Sequence, residues 1–587
     1  MSKKRRAGIN STNILFGIIA ATLLLGFIGL GAAGAQDKRP GIRFEISFVD
    51  SLEKRPVTGR MFVAISPTAD MEPRIAAYNS ARRRDARVPF FAADVDQLQP
   101  AAAAVIDATS IGFPYMSLDQ LPAGDYYVQA VFNVYTQFHR SDGHTLWAHM
   151  DQWEGQRWGF SPGNFLSETQ RVHLDPKQSQ TVTISLTKII PPIEVPKDTE
   201  WVKRIKFQSK ILSAFWGHPF YLGATVLLPK GYAEQPNVHY PVVYQQSHFT
   251  LDPAFDFTTE QATGPDVFAA MRKQAAGERE SGYDFYKSWS SDNFPRMIAV
   301  IFQHPTPYFD DSYAVNSANN GPYGDAIMQE LIPYLEEHFR MIRKPYARVL
   351  TGGSTGGWES LALQVYHPEF FGGTWTLYPD PVDFRKYGLM NAYEDGNAFI
   401  PPNAPFNAPE RMFQQTPDAQ PVGSTRQISQ MEFASGTHDR SGAQIDIWDA
   451  TYGPVGNDGY PKPLWDHLTG KVDNSVAFYM RDHGYDLRQY IETNWPKIGP
   501  QLVGKLRIYC GDMDHFYLAG AVYLLEDFLK NTKNPYYGGE FVYGRPMKGH
   551  GWQPMTNAEL IRMMADHIAK NAPQGDDISA WKGKPKS

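Results

Sequence analysis

The chain has 587 residues, 42% of them hydrophobic and 20% charged, with 56 basic residues against 62 acidic ones and a net charge of −6. This length implies two domains plus a leader, and the composition is globular rather than disordered. No basic stripe interleaved with aromatics follows the leader, which excludes a nucleic-acid surface, and the single cysteine, Cys510, excludes an intrachain disulfide or a cysteine-built metal site.

Residues 1–35 carry a basic head, Lys3-Lys4-Arg5-Arg6, then an apolar stretch from Ile14 to Leu30, then small residues at Ala33 and Ala35. That is the pattern of a signal peptide cleaved after Ala35. The alternative is an uncleaved anchor, because Ile14 to Ala35 is long enough to span a bilayer. Either way the body is expected across a membrane, periplasmic or secreted, with membrane contact only through this segment. A mean hydropathy of −0.41 and the lack of a second long apolar run argue against a polytopic protein.

Residues 36–190 read as a small all-β, sandwich-like domain. Ile42 to Phe48 and Gln180 to Leu186 alternate apolar and polar residues, and Tyr126 to Val134 is rich in β-formers after the turn Leu121-Pro122-Ala123-Gly124-Asp125. The basic run Arg82-Arg83-Arg84 reads as a solvated face. Structural support is the simplest role for this domain; a spacer, a dimerisation face and a sugar-binding unit fit the same pattern. A proline-rich linker follows at 191–204, around Ile190-Pro191-Pro192-Ile193-Glu194-Val195-Pro196.

From 205 to 572 strand-like and helix-like segments alternate, the signature of a doubly wound, mostly parallel sheet. Strands are expected at Leu222–Pro229, Pro241–Tyr244, Met297–Phe302, Arg348–Leu350, Gly373–Tyr378, Leu506–Cys510 and Glu540–Tyr543. Cys510 reads as a small buried hydrophobe within its strand. Helices are expected at Tyr323–Met341, with a kink at Pro333, and at Leu518–Lys530 and Asn557–Lys570. Between about 381 and 499 the rhythm breaks into a stretch rich in Pro, Gly, Asn and Trp, a loop-rich insertion of the kind that covers a site. Residues 573–587 form a polar tail.

The chemistry concentrates at Arg348-Val349-Leu350-Thr351-Gly352-Gly353-Ser354-Thr355-Gly356-Gly357-Trp358. It holds G-x-S-x-G between an apolar strand and a helix, the setting in which a serine sits on a strained elbow and projects its hydroxyl at the sheet edge. Ser354 is the candidate nucleophile. A serine hydroxyl needs a base to take its proton and an acid to orient that base, in the chain order Ser, acid, His. The strand Leu506–Cys510 runs into Gly511-Asp512-Met513-Asp514-His515, and Glu540–Tyr543 runs into Lys548-Gly549-His550-Gly551. His550, in a loop after the last strand, is the candidate base, with His515, His438, His483 and His567 as rivals. Asp380 is a minor rival for the acid. Asp512, Asp514 and His515 are too crowded, with no partner motif, to be read as a metal site.

On these residues the segment from about Ile211 to Lys570 resembles the Putative esterase (esterase D-like) family, which includes feruloyl esterases, S-formylglutathione hydrolase, enterochelin esterases and mycolyltransferases. The matching features are Leu228-Pro229-Lys230-Gly231-Tyr232, the elbow Gly352–Gly357, and Gly511-x-x-Asp514 followed by Gly549-His550. The resemblance implies an α/β-hydrolase fold, Asp514 rather than Asp512 as the acid, and no metal or organic cofactor. It also implies an oxyanion hole built from the backbone N–H of Thr355 and of the loop after Pro241–Tyr244. There the chain departs from the family's His-Gly and reads Gln245-Gln246-Ser247-His248-Phe249, with the N–H of Ser247, His248 or Phe249 open as the second donor and His248 the candidate.

The expected function is therefore an exported serine esterase acting through Ser354, His550 and Asp514 and an acyl-enzyme, on a small-molecule or carbohydrate-linked ester. Alternatives are a prolyl-oligopeptidase-like peptidase, an acyltransferase, and an inactive hydrolase-fold binding protein.

Overall fold

The computed structural model describes residues 41–83, 88–149, 157–261, 280–402 and 410–582. The expected leader 1–35, Arg84 of the basic run and the last five residues of the tail lie outside the described residues. Among the described residues no helix is long and apolar enough to cross a membrane.

The N-terminal part forms a nine-stranded sheet. Its strands Ile42–Phe48 and Gln180–Ile189 pair in parallel and bury alternate residues, as one-sided strands do. Ile42, Phe44, Ile46 and Phe48 share a core with Val182, Ile184 and Leu186 and with Met61, Val63 and Ile65 of the strand Val57–Ser66. Strand Phe165–Ser167 pairs both with Gln180–Ile189 and with Gly124–Val134, so a single sheet folds over its own core. Val57–Ser66 is buried at all ten positions because its other face is covered as well. Phe62 on that face stacks on Trp158 at 4.3 Å between centroids and belongs to the core of the C-terminal part. One helix, Pro73–Arg83, interrupts the strands and carries Arg82 and Arg83 at its end. The two sheets belong to one compact body.

The second sheet has eight strands, in spatial order Val202–Ser209, Phe220–Leu227, Ile298–Gln303, Val242–Gln246, Arg348–Ser354, Gly373–Pro379, Leu506–Gly511 and Glu540–Gly544. The first three pair antiparallel and the rest parallel. Its central strands are short apolar runs buried on both faces, as helix-covered parallel strands must be. Helices Thr355–Tyr366, Ala519–Lys530 and Asn557–Asn571 flank it. This is the α/β-hydrolase arrangement. The edge strand begins at Val202, inside the stretch read from sequence as linker. The kinked helix resolves into Tyr323–Ala326, a π-turn at Ile327–Leu331 and Ile332–His338, the wide turn absorbing the N–H that Pro333 lacks.

The insertion departs most from expectation. Among the described residues it holds four α-helices, Thr425–Ser435, Gln444–Tyr452, Asn474–Asp482 and Leu487–Leu502. Strong side-chain caps at Ser424, Asp473 and Asp486 start three of them despite the local density of Pro and Gly. Within the tail, Trp581 is buried against the body.

Arginines of the N-terminal sheet reach into the insertion. Arg60, 2% exposed, pairs with Asp94 at 2.8 Å and donates from Nη2 to the carbonyl of Ala434 at 2.9 Å, in the last turn of Thr425–Ser435. A cation is favourable there because the helix carbonyls converge. Arg60→Met keeps the bulk but strands that carbonyl, and should destabilise the fold by about 2 kcal/mol. Urea unfolding measures it; an unchanged midpoint would show that the contact contributes nothing.

Candidate active site

The strand Arg348–Ser354 lies between Val242–Gln246 and Gly373–Pro379, and Ser354 ends it at φ 59°, ψ −122°. Such a backbone is strained for any residue with a side chain. It persists because the chain on either side is pressed against the neighbouring strand. A Cβ on Gly352 would stand 2.2 Å from the carbonyl oxygen of Gly356, and one on Gly356 would stand 2.1 Å from that of Gln246. Both positions exclude any other residue. The helix Thr355–Tyr366 starts at once, and Thr355 is fully buried with its N–H at the helix end, where no intrahelical acceptor exists.

The loops after the next strands bring in the expected acid and base. Asp514 has a fully buried side chain; one oxygen accepts the N–H of Phe516 at 2.9 Å and the other meets Nδ1 of His550 at 2.8 Å. His550 is further clamped edge-on by Tyr378 and Phe516, each 4.8 Å away by ring centroid. Asp512 turns away, accepting the N–H of Lys548 at 3.3 Å and facing Arg545. The rival histidines are occupied elsewhere. His438 faces Asp458 and Tyr460, His483 stacks on Tyr479, and His567 binds the carbonyl of Gly372. His515 packs over Gly549 beside His550.

Ser354, His550, Asp380 and His248 line one cavity of about 530 Å³. Its far wall comes from the insertion, including Phe413, Met431, Gln444 and Trp448. The hydroxyl of Ser354 contacts Asp380 Oδ1 at 3.4 Å. Asp380 in turn accepts from Tyr313 at 2.6 Å, Thr355 at 3.1 Å, Gln444 at 3.3 Å and Trp448 at 3.4 Å. Burial pushes its carboxyl above the ordinary aspartate value, partly offset by the Tyr313 hydrogen bond and the nearby His550. Beyond Ser354 and Thr355 of the elbow, only Asp380 of this network carried a sequence signal, its place just after a strand. Tyr313 lies in a loop, and Gln444 and Trp448 share a face only because the insertion is helical there.

His248 places Nδ1 2.9 Å from Asp311 and 3.0 Å from Asp310. Burial works against its charge, but these two carboxylates outweigh it and hold the ring well above the ordinary histidine value. Arg157 of the N-terminal part pairs with Asp310 at 3.2 Å. Behind the elbow His304 is buried, its Nδ1 accepting the N–H of Ser312 at 3.0 Å, with the buried carboxyl of Glu359 at 3.9 Å from Nε2. Burial raises Glu359 well above the usual glutamate value.

Residues 221–379 match the family model described as Putative esterase. That span holds the central strands, the loop at His248 and the elbow, and it ends before Asp380, Asp514 and His550. No curated protein matches the sequence. Among solved structures the chain is similar to an S-formylglutathione hydrolase from Agrobacterium tumefaciens, at 12% identity over 64% of this chain and 97% of that one, with a TM-score of 0.30. It is similar to a ferulic acid esterase at 16% identity over 60% and 91%, with a TM-score of 0.29. It is also similar to the fluorophosphonate-binding serine hydrolase F of Staphylococcus aureus, at 12% identity over 62% and 98%, with a TM-score of 0.29.

The buried His304 gives the elbow a pH signature. Burial holds its ring to about 4, so the folded state keeps it neutral while the unfolded chain, near 6.5, takes up the proton first. Its contribution to stability is therefore flat above pH 6.5, falls as pH drops below that value and levels near pH 4, by on the order of 2 kcal/mol at pH 5. His304→Gln should lose less stability between pH 7.5 and 5 than the parent protein, by urea midpoints; equal losses would refute the buried neutral ring. The segment 221–379 thus matches the Putative esterase family model, and the sheet and elbow that contain it have the α/β-hydrolase arrangement.

Proposed function

We propose that this chain is an exported serine esterase that cleaves a carboxylic ester through an acyl-enzyme, with Ser354 as nucleophile, His550 as general base and acid, and Asp514 as the group that orients His550. The observation that carries this reading is the pairing of His550 Nδ1 with the buried Asp514 at 2.8 Å on the wall of the same cavity into which the strained elbow presents Ser354. With Nδ1–H committed to Asp514, Nε2 is the free basic atom. Ser354 releases Asp380 and passes its proton to Nε2 as Oγ attacks the carbonyl. The imidazolium then protonates the leaving alcohol, and a water repeats the sequence to free the acid.

The N–H groups of Thr355 and His248 are the proposed oxyanion donors. The chain at Gln246 presses on Gly356, which sets the His248 loop beside the elbow. Loss of one such donor typically lowers turnover about a hundredfold to a thousandfold. The insertion wall, with Phe413, Trp448 and Gln444, selects the ester. The nine-stranded N-terminal sheet is not a propeller, which disfavours the prolyl-oligopeptidase alternative.

Ser354→Ala should abolish turnover of a generic aryl ester while the thermal melt is retained; unchanged turnover would refute the assignment. Asp514→Asn should lower kcat by about 10⁴, the scale of losing an orienting acid. Asp380→Asn should lower it by about tenfold, because Tyr313, Gln444 and Trp448 remain around it. The reverse order in kcat would make Asp380 the orienting acid.

A further inference from the structure

Behind the insertion wall of the cavity lies a second cluster that the esterase reading does not use. Asp439 sits in the loop between helices Thr425–Ser435 and Gln444–Tyr452. Asp446 and Asp449 project from one face of the latter, and His467 comes from the chain beyond it. Their relative exposures are 5%, 0%, 1% and 7%. Two of the carboxylates tie one oxygen to backbone: Asp446 Oδ2 accepts the N–H of Ser441 and Asp449 Oδ1 that of Leu464, each at 2.9 Å. The opposite oxygens, Asp446 Oδ1 and Asp449 Oδ2, together with Asp439 Oδ2 and His467 Nε2, are buried with no hydrogen-bond partner among the described residues.

The separations explain why. His467 Nδ1 stands 3.7 Å from Asp446 Oδ1, and Nε2 stands 3.8 Å from Asp449 Oδ2 and 3.9 Å from Asp439 Oδ1, all too long for hydrogen bonds. One ligand atom each from Asp439, Asp446 and His467 lies within 4.8 Å of the others. Nitrogen and oxygen ligands about 2.0–2.2 Å from an ion stand up to about 4.4 Å apart across it, so a contraction of a few tenths of an ångström closes the shell. The charge balance points the same way. A further acid, Glu432, also faces the cluster, and its carboxylate accepts the N–H groups of Ile445 and Asp446 at 2.9 Å. Four buried carboxyl groups face one imidazole, and buried negative charge must be neutralised by protons or by a cation.

We propose that Asp439, Asp446, Asp449 and His467 bind one divalent first-row metal ion, Mn²⁺ or Zn²⁺, that staples the insertion behind the cavity. Three carboxylates with one imidazole suit these ions better than Ca²⁺, which prefers all-oxygen shells. The helix that would carry two of the ligands also presents Gln444 and Trp448 to the cavity, where both touch Asp380. The metal would thus fix a wall of the site without touching the reacting atoms. The inference departs from the sequence reading, which expects no metal.

The test uses the full chain, dialysed against chelator and titrated calorimetrically with Mn²⁺, Zn²⁺ and Ca²⁺, with thermal melts alongside. Expected are one equivalent of Mn²⁺ or Zn²⁺ and a rise of a few degrees in Tm at saturation. His467→Gln and Asp446→Asn, which keep size and part of the hydrogen bonding, should each weaken binding at least tenfold. Should neither variant fold, the parent protein decides: no bound equivalent and no shift in Tm with either ion would overturn the proposal, leaving protons to neutralise the cluster. Binding unchanged in both variants, or binding of Ca²⁺ alone, would overturn it as well. None of these readouts depends on ester turnover, so failure here is distinct from failure of the esterase reading.

Discussion

Residue 354 is held in a backbone conformation that a serine does not adopt freely, and the geometry of the candidate site follows from that constraint. The strain is paid for by contact: Gly352 and Gly356 let the chain before and after the serine close against Gln246, and a side chain at either glycine would meet backbone atoms within 2.2 Å. Held so, Ser354 stands at the carboxyl edge of the sheet with a helix beginning at the next residue. One tight crossing of strand and helix thereby sets where a hydroxyl, a helix N-terminus and the His248 loop all meet.

The rest of the site is assembled by long-range contacts onto that edge. The loops after the last two strands abut, since a Cβ on Gly511 would stand 2.3 Å from the carbonyl oxygen of Lys548, and this contact fixes His550 against Asp514. The insertion closes the cavity from the other side, and the N-terminal sheet braces the insertion. Arg60 grips the end of one helix. Arg440, in the loop that follows, returns to Asp94 and to the carbonyl of Trp147. Arg60 and Arg440 thus tie the N-terminal sheet and the insertion together, one from each side.

Local physics made the elbow, the central strands and the acid and base loops legible in the sequence. G-x-S-x-G between an apolar strand and a helix is a short-range pattern, and buried parallel strands announce themselves as apolar runs. The insertion was less legible because its helices rest on caps and tertiary packing: Leu487–Leu502 carries Pro496 and Pro500 internally, and Gln444–Tyr452 has no side-chain cap. Asp380 was visible only as a residue after a strand, since its partners Tyr313 and Trp448 lie 67 and 68 positions away along the chain. The cluster around His467 was invisible for the same reason, being three segments brought together by folding. The choice of Asp514 over Asp512 came from the family resemblance, whose G-x-x-D falls on Asp514, and the two side chains do point in different directions.

The most direct test of the central claim is to treat the protein with a fluorophosphonate and identify the modified residue by mass spectrometry. The account predicts a one-to-one adduct on Ser354, formed far more slowly in His550→Ala. An adduct on another residue, or equal labelling of Ser354 with and without the imidazole, would contradict it.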